Sequence, residues 1–210
     1  MSDELELRAA WTDAIGRDVR CMAAFDDIVG RHREPHRRYH GVRHVVWVVR
    51  HVHALEHEVA VHDPPTVAAA AFFHDAVYDP PASDNEVESA ALAERVLAEL
   101  GWEERRCRVV GDLVRATAGH EPNGDPDRSV LIDADLAVLG SEPAAYLAYA
   151  TGVRVEYGHL DDDEWRRGRA EVLRRLLARE PLYATEPGRR RWESRARANL
   201  AAELATLVQG

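Results

Sequence analysis

Apolar residues recur at helical spacing along nearly the whole chain, and no segment sustains the two-residue alternation of a half-buried strand. This confines the fold to helices packed on helices, because an amphipathic helix must bury its apolar stripe against another element. Residues 4 to 31 read as one or two such helices, with Leu5, Leu7, Trp11, Ile15, Met22, Phe25 and Ile28 as core, and Pro35 breaks the pattern. Residues 37 to 63 follow. From Val45 to Val49 they are apolar on all sides, which marks a central, buried helix. Further helices are expected from about Thr66 to the Asp79–Pro80–Pro81 stop, from a Ser83 cap to Leu100, over roughly 103 to 118, and from a Ser129 cap to Gly140. The rest reads as a helix from Pro143 through Tyr157, one opened by Asp161 to Asp163, and a last one from near Glu186 to near Leu207. The expected product is an all-α bundle of about eight or nine helices in a single domain, 1 to 210, a length ample for one core.

The helix from Thr66 carries the stretch AAAAFFHDAVY, residues 68 to 78. It is an apolar run that ends in His74 and Asp75. A buried His–Asp pair is costly unless both groups are satisfied. A metal ion would satisfy them, and a core histidine with protein partners is the competing reading. The dipeptide itself is weak evidence, and His62–Asp63 is a second copy of it. That copy lies in a polar junction before Pro64–Pro65, where Asp63 is placed to cap a helix. Phe72 and Phe73 on one side and Ala76–Val77 on the other give His74–Asp75 a different context.

Other polar residues also stand out against apolar surroundings. His44 lies at the entry to the buried helix, with His40 at i−4, a spacing that can chelate a metal, and His51 two turns on. A structural histidine bonded to a carbonyl is the alternative for His44. His53 and His57 share the same spacing but sit among Glu56 and Glu58 and read as solvated. The core stripe Ala93, Val96, Leu97 and Leu100, extended backwards, meets Ser89, Glu86 and Asn85. These form either the wall of a polar pocket or, for Glu86, a capping box with Ser83. His120 follows a helix end. Asp133 and Asp135 lie about 200° apart on a helical wheel and so do not share a role. Asp135 has Leu131, Ile132, Val138 and Leu139 as neighbours, the more apolar surround, and is the preferred ligand on burial, with Asp133 as the alternate.

A net charge of −10 argues against a nucleic-acid polymer as partner. All 27 basic residues are arginine, and those at Arg189, Arg190, Arg191, Arg195 and Arg197 read as a solvated helix face, with a phosphate-facing role as the minority reading. No apolar run approaches the roughly 20 residues that span a bilayer. The start MSDELELRAAW lacks the features of a signal peptide. Cys21 and Cys107 alone support neither a disulfide framework nor a thiolate zinc site. The expected compartment is the cytoplasm.

The stretches RRYHGVRHV, FFHDAVYD, DNEVESA, IDADLAVLG, VRVEY and RARANL, spread over roughly 37 to 200, resemble the HD superfamily of metal-dependent phosphohydrolases, whose signature is H…HD…D. Within it, the chain looks like the bacterial branch of predicted metal-dependent HD phosphohydrolases. The resemblance implies an HD-type helical fold with His44, His74, Asp75 and Asp135 around a divalent metal ion: Mn, Fe, Co, Ni, Zn or Mg. It implies hydrolysis of a phosphate ester, of a nucleotide or another small phosphorylated metabolite. Asp75, Glu86 and His120 would then serve the chemistry, Glu86 or His120 as proton relay. Asn85, Tyr157 and Tyr78 would face substrate. Arg38 and Arg154 would hold phosphate oxygens, with surface salt bridging as their competing role. Some dinuclear members carry extra histidines between the HD pair and the last Asp, whereas His120 is the only one here. That counts against a di-iron oxygenase on the same fold, the first alternative. The second is a non-catalytic module that binds a metabolite.

Overall fold

The computed structural model describes residues 3 to 209, which form ten α-helices and one 3-10 turn, with no strand among the described residues. The count exceeds the expected eight or nine because the first segment divides. α1 (Asp3–Ala14) and α2 (Val19–Arg31) are separated at Gly16, whose φ is +142°. Asp18 then caps α2, its carboxylate accepting from the Cys21 N–H at 2.9 Å. Leu7, Trp11, Phe25 and Ile28 are buried as expected, but Leu5 is 58% exposed. It lies two residues from Leu7, about 200° round the helix, and so points away from the face that Leu7 and Trp11 share. The Trp11 ring packs edge-on against Phe25 and Phe72, with centroids 5.7 and 5.1 Å away, and pins this hairpin to the centre of the protein.

The centre is α3 (Val42–Glu56) against α4 (Pro64–Phe73). Val45, Val46, Val48, Val49, Val52 and Leu55 of α3 are buried, as are all residues from Ala69 to Phe73. α3 starts later than the sequence pattern suggests. Residues 37 to 41 are not helical, and His40 stands outside the helix.

α5 (Asn85–Glu99) and α6 (Glu104–Gly119) pack together. Asp84, not Ser83, occupies the N-cap of α5 and makes no side-chain cap bond, so the Ser83–Glu86 capping box is not formed. α7 (Pro126–Leu136) begins three residues before the expected Ser129. Asp125 caps it, accepting from the N–H groups of Asp127 and Arg128, and the Ser129 hydroxyl donates to the Asp125 carbonyl. A 3-10 turn, Ala137–Gly140, leads to α8 (Pro143–Glu156). Asp161 and Glu164 form a capping box at the start of α9 (Asp162–Leu177). α10 (Glu186–Gln209) packs on α9 and on the 3-10 turn. Its first turn approaches α7 so closely that a Cβ at Gly188 would lie 2.5 Å from an Asp133 carboxylate oxygen. The arginine face of α10 is ion-paired: Arg190 and Arg191 meet Glu58, Arg195 meets Glu142, and Arg197 meets Glu193. None of the described helices is long and apolar enough to cross a membrane.

Candidate metal centre

His74 is the first residue past α4 and is buried. Its Nδ1 donates to the Ala71 carbonyl at 3.0 Å, one turn back. That bond sets the tautomer of the neutral ring and turns the Nε2 lone pair away from α4. His44, in the first turn of α3, brings its own Nε2 to within 2.9 Å of it. Asp75 Oδ2 lies 3.1 Å from His74 Nε2 and 3.3 Å from His44 Nε2. From α7, Asp135 Oδ1 lies 3.3 Å from His44 Nε2 and 3.8 Å from His74 Nε2. Ligand atoms of His44, His74 and Asp75 all fall within 4.8 Å of one another and could hold a metal ion.

The donor chemistry fits such an ion. Two imidazole nitrogens and two carboxylates crowd a site with little access to water, so positive charge is needed between them. Burial alone would lower the His44 pKa, but hydrogen bonds to Asp135 and Asp75 outweigh it and lift it to about 9. Burial likewise opposes ionisation of Asp75, yet the His74 charge and bonds from both histidines hold it well below the usual carboxylate range. A proton or a cation can supply the charge. Nitrogen and oxygen donors together suit a borderline divalent ion. The His74–Ala71 bond is the outer support that metal-ligating histidines normally have. His44 lacks one, since its Nδ1 is buried without a hydrogen-bond partner.

His120 caps the C-terminus of α6 in the left-handed conformation, φ 51°. Its Nε2 lies 2.9 Å from Asp135 Oδ2. Arg179 holds the turn by donating to the carbonyls of Gly119 and His120 at 2.7 and 3.1 Å.

Asp135, not Asp133, faces the histidines, but the burial argument behind that preference is reversed. Asp133 is 0% exposed, whereas the Asp135 side chain is 15% exposed. Asp133 points the other way, accepting from Ala184 N, Thr185 N and the Thr185 hydroxyl at 2.8, 2.8 and 2.7 Å. Asp135 is the more open of the two because it borders a cavity of about 660 Å³.

That cavity is also lined by Tyr39, His40, Asp75, Glu86, His120 and Tyr157. Asn85 does not line it. The Asn85 amide accepts from Asp79 N and donates to Asp79 O, both at 2.9 Å, and Ser89 grips Val77 N and O in the same way. Both residues brace the loop after the His–Asp pair. Arg154 is also elsewhere. It ties the end of α8 to the start of α9 through the Tyr157 and Leu160 carbonyls and Asp162. Arg38 borders a separate hollow of about 400 Å³ with His36 and Tyr78, which contains none of the clustered ligands. His51 sits against the rings of Trp47 and Trp192. The second His–Asp pair is divided: Asp63 forms a two-pronged ion pair with Arg106 at 2.7 Å and makes no side-chain cap bond, while His62 neighbours Asp125 and Asp127.

Sequence reasoning gave no role to Glu156. This buried carboxylate at the end of α8 accepts from three successive N–H groups, Arg38, Tyr39 and His40, at 2.6, 2.7 and 3.0 Å. It also pairs with His40 Nδ1 at 2.6 Å and accepts from the Tyr78 hydroxyl at 3.0 Å. Burial works against its charge, but the His40 contacts and the backbone bonds win and lower its pKa to about 2. Glu156 thus fixes the turn that leads into His44 and keeps His40 Nδ1 out of the cluster. Its only sequence signal is an acidic residue beside the apolar Val155, and the partners lie 78 to 118 residues away.

Comparison of the chain with protein-family models, curated proteins and solved structures found no match.

Proposed function

We propose that this chain is a metal-dependent phosphohydrolase of the HD type, acting on a small phosphate ester. The observation that carries the reading is the meeting of His44 from α3, His74–Asp75 from the turn just past α4 and Asp135 from α7 at the wall of a cavity large enough for a metabolite. A fully structural cluster would have no reason to border such a space. When bound, a divalent ion there supplies charge to polarise a phosphoryl oxygen and to acidify water. His44, His74, Asp75 and Asp135 would hold it. His120 holds the far oxygen of Asp135 and lines the cavity, so it is placed both to orient that carboxylate and to move a proton. Glu86 and Tyr157 line the cavity and are placed to contact substrate. With Arg154 engaged elsewhere, Arg175 becomes the candidate for the phosphate: it lines the cavity, is exposed, and its side chain makes no ion pair or hydrogen bond among the described residues.

The test joins metal content to turnover. Elemental analysis of protein purified without a metal-binding tag is expected to find about one ion per chain, lost in His74→Ala. Phosphate release from a panel of phosphomonoesters is expected to vanish in Asp75→Ala while circular dichroism keeps its helical signal. Full activity in Asp75→Ala, or no metal after reconstitution, would sink the reading.

A further inference from the structure

The wall of the cavity built by α8 and α9 has a chemistry of its own. On α9, Trp165, Gly168, Val172 and Leu176 recur three and four residues apart, so they share one helix face, and all four line the cavity. Val153 from α8 and Leu160 from the connecting loop extend the same wall. Val153, Leu160 and Trp165 are shielded from water to varying degrees yet stand outside the main hydrophobic core. Of the arginines beside this wall, Arg169 of α9 is committed to Glu203 and Tyr149, and Arg179, just past α9, to the carbonyls of the His120 turn, which leaves Arg175, among the described residues beside it, as the one uncommitted cation, already assigned to the phosphate. A pocket that reads a sugar or a base needs unpaired donors and acceptors for it. This wall offers hydrocarbon.

Gly168 strengthens the point. A glycine inside a helix is unfavourable relative to alanine. Here no packing demands it, because a Cβ built at Gly168 would meet no atom within 4 Å. Its lack of a side chain leaves the middle of the apolar stripe as open cavity.

We propose that the substrate is a phosphomonoester whose organic part is hydrocarbon, alkyl or aryl, lying along the Trp165–Gly168–Val172–Leu176 face with its phosphate at the metal cluster. The proposal rests on the phosphoester reading above and adds the substrate class. Gly168 and Val172 set the specificity, by leaving room and by excluding hydrogen-bonding partners.

The test uses phosphonates, whose C–P bond such a hydrolase does not cut, so binding is measured apart from turnover. Metal-loaded protein is titrated by calorimetry with hexylphosphonate, methylphosphonate and the phosphonate analogue of glucose 6-phosphate. Hexylphosphonate is expected to bind at least tenfold more tightly than either of the others. Tenfold is about 1.4 kcal/mol, the burial of roughly two methylene groups. Gly168→Leu, which improves helix propensity, is expected to erase that advantage while metal content and methylphosphonate affinity stay unchanged. Val172→Thr, nearly the same shape with a hydroxyl added, is expected to reduce it several-fold. A sugar phosphonate that binds as tightly as hexylphosphonate overturns the proposal, as does a Gly168→Leu variant that binds hexylphosphonate normally. Either result leaves the phosphoester reading intact. Failure of all three phosphonates to bind metal-loaded protein overturns both.

Discussion

Asp133 and Asp135 stand two residues apart on α7 and are stabilised by opposite means. Asp133 is enclosed, its oxygens taking two backbone N–H groups and a hydroxyl from the segment that leads into α10, with Gly188 pressed against it. Burial pushes its pKa up, and the Thr185 and Ala184 bonds offset part of that. Asp135 instead meets two imidazoles, His44 and His120, and lies against the cavity. Its pKa is held far down: burial works against ionisation, but the His120 and His44 bonds overwhelm it. Fixed N–H donors complete a carboxylate and leave nothing to exchange. Imidazoles can trade a proton for a metal. The first arrangement makes structure, and the second makes a site.

The comparison breaks most visibly at Asp133. Asp133→Ala removes the acceptor for three donors, each of which costs about 1 to 3 kcal/mol when buried unpaired. Some relaxation at Ala184 and Thr185 is expected, so the net loss of stability should be about 3 to 5 kcal/mol, read from the denaturant midpoint. Metal bound per folded chain should not change. A loss below about 1 kcal/mol would mean that Asp133 is not the closed half of the pair.

Asp135→Ala should show the reverse pattern. Loss of even a supporting partner weakens metal sites by about 10- to 100-fold, so loss of a ligand should weaken this one by at least about 100-fold. Stability of the metal-free protein should fall by less than in Asp133→Ala, by about 1 to 3 kcal/mol, because His44 and His120 lose a partner that already borders the cavity. Chelator competition measures the first effect and thermal unfolding with chelator present measures the second. Unchanged metal affinity would leave His44, His74 and Asp75 as the complete site.

A third test needs no mutation. His44 is raised from 6.5 to about 9, so the folded metal-free protein holds its proton more tightly than the unfolded chain does. The associated stability is complete below about pH 6.5 and is lost as pH climbs towards 9. The melting temperature of metal-free protein should therefore fall by a few degrees across that window. Metal-loaded protein should lose most of this slope, because the ion takes the place of the proton. Equal slopes with and without metal would detach the ion from His44.

These contrasts also show what was legible in the sequence. The helices were, because a buried face leaves its period in the local pattern: α4 is a nearly uninterrupted apolar run, and α3 buries Val45, Val46, Val48, Val49, Val52 and Leu55 while Arg43, Arg50 and His53 are exposed. His44 and His74–Asp75 were legible for the same reason, as polar exceptions in those runs, and the structure brings them together. Burial as a guide to function failed at α7. There the more buried aspartate is the one with no open face, and the ranking inverted. Arg154 and Asn85 carry the right chemistry for a substrate, but short-range bonds to Tyr157, Asp162 and Asp79 absorb them. Glu156 was illegible because its five bonds reach back to residues 38 to 40 and 78, a pairing that exists only once the helices have packed.

The smallest effect is expected at His120, which touches the cluster only through Asp135 Oδ2. A left-handed residue that is not glycine is unusual, and asparagine tolerates that conformation better than most. His120→Asn should therefore keep the turn that Arg179 braces and remove only the imidazole. Freed on one side, Asp135 can rotate away from His44, and metal affinity should drop by about tenfold, the low end for an outer partner. Turnover should fall further than affinity if His120 also moves a proton, and equally if it only orients Asp135. Comparing the two losses separates these roles. A variant with wild-type affinity and wild-type turnover would mean that Asp135 is held by His44 alone. The open half of the comparison would then consist of α3, α4 and α7 without α6.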